Sequence, residues 1–179
     1  MAFNLLKQYN ALLEFGHLNE SARLRSLRAV FDRDIVDNSS FCFRDKVIRP
    51  IKKEGMIDMD VLFKHLTFRT DKVKENKKSK SVSREVFDHD RSVRLHWIRF
   101  HIEERLADKI HVFSHLDRIP DRGNVLRTYL YDEEEKYIII LEPQRSGQDY
   151  YFISAYYLSE SWSFKQIEQK MANRIMDVL

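Results

Sequence analysis

Histidine and arginine recur at short spacing in the stretch Arg91-Ser-Val-Arg-Leu-His-Trp-Ile-Arg-Phe-His-Ile-Glu-Glu-Arg105. Arg127 then stands in a strand-forming run, and a later run ends in Phe152-Ile-Ser-Ala-Tyr156. Imidazole exchanges protons near neutral pH, guanidinium carries a fixed charge, and the hydroxyls of Ser154 and Tyr156 donate hydrogen bonds. Metal-independent cleavage of RNA needs these groups. A base takes the ribose 2′-hydroxyl proton, an acid protonates the leaving 5′-oxygen, and a cation steadies the crowded phosphorane.

The elements that must position these groups follow from periodicity. Residues 91–106 have helical spacing, with Leu95, Ile98, Ile102 and Leu106 on one apolar stripe and Arg94, Trp97, His101 and Arg105 along its edge. On a regular wheel His96 leaves the far side, so His101 is the preferred acid/base candidate. Three β-like runs follow, Val125–Tyr131, Tyr137–Leu141 and Tyr150–Leu158, separated by turns short enough for antiparallel neighbours. Alternation places Arg127, Tyr129 and Tyr131 on one face of the first run, and Tyr150, Phe152, Ser154 and Tyr156 on one face of the third. Lys109–Phe113 offers a further short strand, and Ser161–Leu179 reads as a closing helix capped by Ser161 or Ser163.

The first 70 residues read as mostly helical. Residues 3–15 have helical spacing, a second helix starts near Asn19 with Asn19 or Ser21 as its cap, and a third runs from Asp58 through Leu66 with Asp58 as its cap. A short segment around Phe43–Ile48 and a break at Pro50 and Gly55 lie between them. Residues 71–84, rich in Lys and Ser without apolar periodicity, read as a basic linker or exposed loop. The expected organisation is therefore a helical region over 1–70, that linker, and an α+β domain over 85–179. In this domain a helix packs on an antiparallel sheet of three to four strands, and a C-terminal helix closes it.

The helix bearing His-Ile and the last strand reading aromatic-Ile-Ser-Ala-Tyr resemble the barnase–EndoU–colicin–RelE group of small nucleases, in particular its phage- and toxin-associated branches. The likeness covers roughly residues 91–158. It implies an endoribonuclease in which His101 faces Arg127 or Thr128 on a middle strand and Ser154 with Tyr156 on a late one, with Arg94, Trp97 and Arg105 touching substrate. The chain departs from the group where Arg105 and Ala107-Asp108-Lys109 replace a second histidine, and where Ser154 replaces the more usual threonine.

Each assignment has a plainer alternative. His101 beside an apolar stripe also suits a hydrogen-bonded packing residue, Arg127 suits an ion pair with Asp132 to Glu135, and Trp97 suits the core. His111 and His115 are the reserve acid/base groups, and Glu142 at a strand end is the remaining one. A tyrosine-rich sheet also suits a non-catalytic module that binds RNA or protein.

Charge is uneven. Residues 1–80 carry 17 Lys and Arg against 11 Asp and Glu, and the remainder carry 14 against 17; the basic half offers a contact for an anionic partner, and the plainer reading of Lys72, Lys74, Lys77, Lys78 and Lys80 is a solvated linker. No cofactor is expected, and no ligand-type spacing of His, Cys and carboxylates calls for a metal. The single Cys42 excludes an intramolecular disulfide. With no leader-like or long apolar run, the expectation is a cytoplasmic protein that acts away from membranes, with RNA as partner and a protein inhibitor as a second candidate.

Overall fold

The structure, a computed structural model, describes residues 2–50, 58–72, 83–105, 108–145 and 147–178. The chain opens with a single helical turn, α1 (Ala2–Leu5), where the spacing predicts a helix to residue 15. Asn4 accounts for the difference. Its carboxamide accepts from the Glu14 N–H at 2.9 Å and donates to the Glu14 carbonyl at 3.1 Å, folding the segment back on itself. Leu13 and Phe15 then enter the core one at a time rather than along a helical stripe.

α2 (Glu20–Phe31) starts at Asn19, whose side chain accepts from the Ala22 N–H, and runs into a π-helical turn over Asp32–Val36. β1 (Cys42–Phe43) and β2 (Lys46–Pro50) form a small hairpin. α3 (Met59–Thr67) is capped by Asp58, as its sequence predicts. β3 (Phe68–Lys72) and β4 (Ser83–Phe87) pair as a separate ribbon. Most of the expected linker lies outside the described residues, and its ends, Asp71, Lys72, Ser83 and Arg84, belong to this ribbon.

One helix is expected over 91–106, and two short ones are found, α4 (His89–Ser92) and α5 (Trp97–Ile102). Between them the Leu95 and Trp97 N–H groups bond three residues back, to Ser92 and Arg94. This tighter winding rotates α5 away from the face a regular helix would present. Glu104, at a φ of 49°, ends the segment in the left-handed region.

Four long strands follow: β5 (Ile110–Ile119), β6 (Gly123–Asp132), β7 (Tyr137–Pro143) and β8 (Asp149–Tyr157), and then α6 (Ser161–Ala172). The sheet has six strands in the order β1-β2-β8-β7-β6-β5 and curls into a half-barrel. The fold is α+β, and the expectation of three to four strands is corrected to six. The extra strands lie far away in sequence. β2 joins β8 in parallel, Val47 opposite Asp149 through Pro50 opposite Phe152, about a hundred residues apart and with no local signature.

Alternation buries both faces of this sheet. One, the helical face, packs Leu130, Tyr137, Ile139, Leu141 and Phe152 against Leu27, Val30 and Phe31 of α2 and Trp97 and Ile98 of α5. The helices before residue 70 and the strands after residue 110 therefore share one core. The other, the α6 face, packs Phe113, Tyr129, Tyr131, Ile138 and Ile140 against Ile167, with Phe164 and Met171 beside it. Each large apolar side chain so buried contributes about 1.5–3 kcal/mol. A bulge at Ile153 restores the pairing of β7 with β8, so that Ser154 stands opposite Ile140 and Tyr156 opposite Ile138, on the α6 face.

Candidate functional site

The register of β5 with β6 places His115 directly opposite Arg127 and Asp117 two residues further along, all on the α6 face. Arg127 in turn lies beside Glu142 of β7, its Nε 3.7 Å from the carboxylate. His115, Arg127 and Glu142 thus stand in a row across three adjacent strands. His115 donates from Nδ1 to Asp117 Oδ1 at 2.8 Å, which fixes the ring and leaves Nε2 without a hydrogen-bond partner among the described residues.

Asp117 is the hub of the cluster. It accepts from Lys170 Nζ of α6 at 2.7 Å and from the Tyr129 hydroxyl, and Arg127 Nη1 lies 3.6 Å away. Lys170 also reaches the Tyr129 oxygen at 2.8 Å. Burial opposes ionisation of Asp117, but the bonds from Lys170, Tyr129 and His115 outweigh it and hold its carboxyl below the usual range. Burial and the Asp117 hydrogen bond keep the Tyr129 phenol protonated. Arg122 from the start of β6 forks onto Glu142. Three cations, Arg122, Arg127 and Lys170, therefore meet two carboxylates, so the cluster retains positive charge without counting His115.

The far side of the face is bounded by β8 and α4. Ser154 and Tyr156 project from β8, and the Arg91 guanidinium lies 5.7 Å from the Tyr156 ring centre. Burial raises the Tyr156 phenol, and the Arg91 and Arg127 charges on either side pull it back. The Nε–H groups of both arginines are buried and have no hydrogen-bond partner among the described residues. Two strand spacings, about 10 Å, separate β6 from β8, and the buried Ile138 and Ile140 of β7 lie between them under α6.

Arg127, Ser154 and Tyr156, predicted as site residues, are thus brought to one face, and His101 is not. His101 is 0 % exposed on the helical face, where one ring nitrogen lies 2.8 Å from the Trp97 carbonyl and the other 3.2 Å from Asp132 Oδ2. The Tyr9 hydroxyl donates to the same Asp132 oxygen at 2.6 Å. This buried triad ties the N-terminal segment to β6 and offers no route to substrate, because Asp132 and Arg127 point to opposite sides of the strand.

The predicted substrate contacts scatter for similar reasons. Trp97 is buried, donates to the Ala11 carbonyl and meets Tyr9 and Tyr137 edge-on. Arg94 lies over Trp97 and Tyr157, and exposed Arg105 pairs with Glu103 over Phe100. Thr128 faces the helical side, where its hydroxyl meets that of Ser114 at 3.0 Å. Arg91, Asp117, Arg122 and Lys170 are the members of the cluster not picked out from sequence. The period-2 alternation Phe113, His115, Asp117 was the available signal for Asp117, in a strand expected to end at residue 113. No family model, curated protein or solved structure matches this chain.

Proposed function

We propose that the protein is an endoribonuclease that works without a metal, its reactive groups lying on the α6 face of the sheet. The observation that carries this reading is the row His115–Arg127–Glu142 on adjacent strands. Displacement at phosphorus puts the attacking and leaving oxygens on opposite sides, so a base and an acid that flank a central cation match the reaction. In this arrangement Glu142 accepts the proton of the ribose 2′-hydroxyl. His115, oriented by Asp117, protonates the departing 5′-oxygen. Arg127 neutralises the phosphorane, and Ser154, Tyr156 and Arg91 complete its hydrogen bonding. Positive charge comes from guanidinium groups, because both carboxylates already meet protein cations. His101 serves as a structural residue on the other face.

The test is cleavage of a fluorescent RNA in EDTA by variants of the row. Arg127→Ala, His115→Ala and Glu142→Gln each reduce the rate at least about a hundredfold, the scale of losing a charge stabiliser or a general acid or base. Wild-type rates in all three variants would move the chemistry off this face. Tight RNA binding without cleavage by the wild type would leave a binding module.

A further inference from the structure

A cavity of about 660 Å³ opens where the start of β6 meets the β7–β8 turn, and Glu142 is shared between it and the reactive row. Its size falls inside the range of about 300–1,000 Å³ usual for small-molecule sites. Arg122, Asn124, Gln144, Arg145 and Tyr151 line it beside Glu142. Tyr151 stands opposite Glu142 in the sheet register, so its ring forms a wall next to the row. The Gln144 amide nitrogen is buried with no hydrogen-bond partner among the described residues, although its backbone is held in the turn by Asp149 and Gly147. A buried donor left unpaired is costly, and an acceptor on a ligand relieves that cost.

We propose that this cavity is a nucleobase subsite for the residue next to the scissile phosphate, selective for bases that present a carbonyl oxygen, guanine or uracil. The inference rests on the ribonuclease reading for its place beside the row. The base lies against Tyr151, since stacking on an aromatic ring accepts any base, and Gln144 supplies the discrimination. Its amide N–H donates to the guanine O6 or uracil O4, where adenine and cytosine present an amino group that can only donate. Arg122 and Arg145 add donors at the rim and favour the same electron-rich edges.

Isothermal titration of the full chain with 3′-GMP, 3′-UMP, 3′-AMP, 3′-CMP and inorganic phosphate tests this. The wild type binds the guanine or uracil nucleotide at least about tenfold more tightly than the adenine and cytosine ones, and the two keto nucleotides are compared directly. Gln144→Ala abolishes the preference, and Gln144→Glu, which replaces the donor with an acceptor, inverts it toward adenine and cytosine. Tyr151→Leu weakens all four nucleotides about tenfold and leaves inorganic phosphate unchanged. Equal affinity for the four bases in the wild type, or a preference that survives both Gln144 substitutions, overturns the subsite. Phosphate binding that depends on Arg127 with no base preference removes the subsite alone. A Gln144-dependent preference with phosphate binding indifferent to Arg127 removes the ribonuclease reading alone.

Discussion

Replacing His101 by alanine separates a structural histidine from a catalytic one. In the native chain Asp132 is shut off from solvent and accepts from His101, from Tyr9 and, at its other oxygen, from the Glu135 N–H. Burial raises the Asp132 pKa, but these bonds together reverse the effect and hold it below the usual carboxylate value. Losing His101 leaves a buried carboxylate without one of its partners and a hole among Trp97, Tyr137 and Tyr9. Breaking such a pair costs about 3 kcal/mol, which in a chain of this length lowers Tm by roughly 6–12 °C. A depressed carboxylate stabilises the fold above its unfolded pKa, and that contribution disappears as pH falls through the folded value. With His101 gone the depression shrinks, so the acid-side loss of stability carried by Asp132 becomes smaller and is complete at a higher pH. Urea unfolding followed through the buried Trp97 measures the loss, and RNA cleavage is read at a temperature where the variant is still folded. A wild-type unfolding midpoint together with abolished cleavage would refute this reasoning and return His101 to the chemistry.

Three further outcomes follow from other contacts. His96 is buried and its pKa is pushed down to about 4 from an ordinary value of 6.5, mainly by burial. The unfolded chain therefore binds more protons between those values and stability falls as pH drops through the window, by about 3 kcal/mol in all. His96→Leu removes that part of the slope in a pH series of urea melts, and an unchanged slope contradicts the assignment. Lys170→Ala removes the ammonium that joins α6 to Asp117 and Tyr129, and costs about 1.5–3 kcal/mol in chemical denaturation. An effect below about 0.5 kcal/mol would show that this anchor contributes little. Arg91→Ala weakens RNA binding and lowers the dependence of log affinity on log salt by about one charge, and an unchanged salt slope removes Arg91 from the phosphate path.

The strands after residue 110 were legible because Val, Ile, Tyr and Phe alternate there with polar residues, and the caps Asn19 and Asp58 marked two helices directly. Alternation also foresaw that Arg127 shares a face with Tyr129. His101 was misread for an identifiable reason. A helical wheel assumes 3.6 residues per turn, whereas three-residue hydrogen bonds between α4 and α5 change the azimuth of everything that follows. Its partners, Tyr9 and Asp132, are 123 residues apart and leave no local trace. The parallel β2–β8 pairing is non-local in the same way. The bulge at Ile153 shifts the last strand by one residue, so Phe152 points to the helical face while Ser154 and Tyr156 point to the other. His115 was seen only as a reserve, because the strand that carries it continues to Ile119, past its expected end at 113.

On the proposed reading, RNA is cleaved on the α6 face through its own 2′-hydroxyl. The most direct measurement compares an RNA oligonucleotide with the same sequence carrying 2′-O-methyl groups throughout, incubated with the full chain in EDTA and analysed by mass spectrometry. Fragments ending in a 2′,3′-cyclic phosphate are expected from the first substrate, none from the second, and those fragments are lost in Arg127→Ala. Cleavage of the methylated strand, products ending in a 3′-hydroxyl, or undiminished cyclic-phosphate fragments from Arg127→Ala would contradict it.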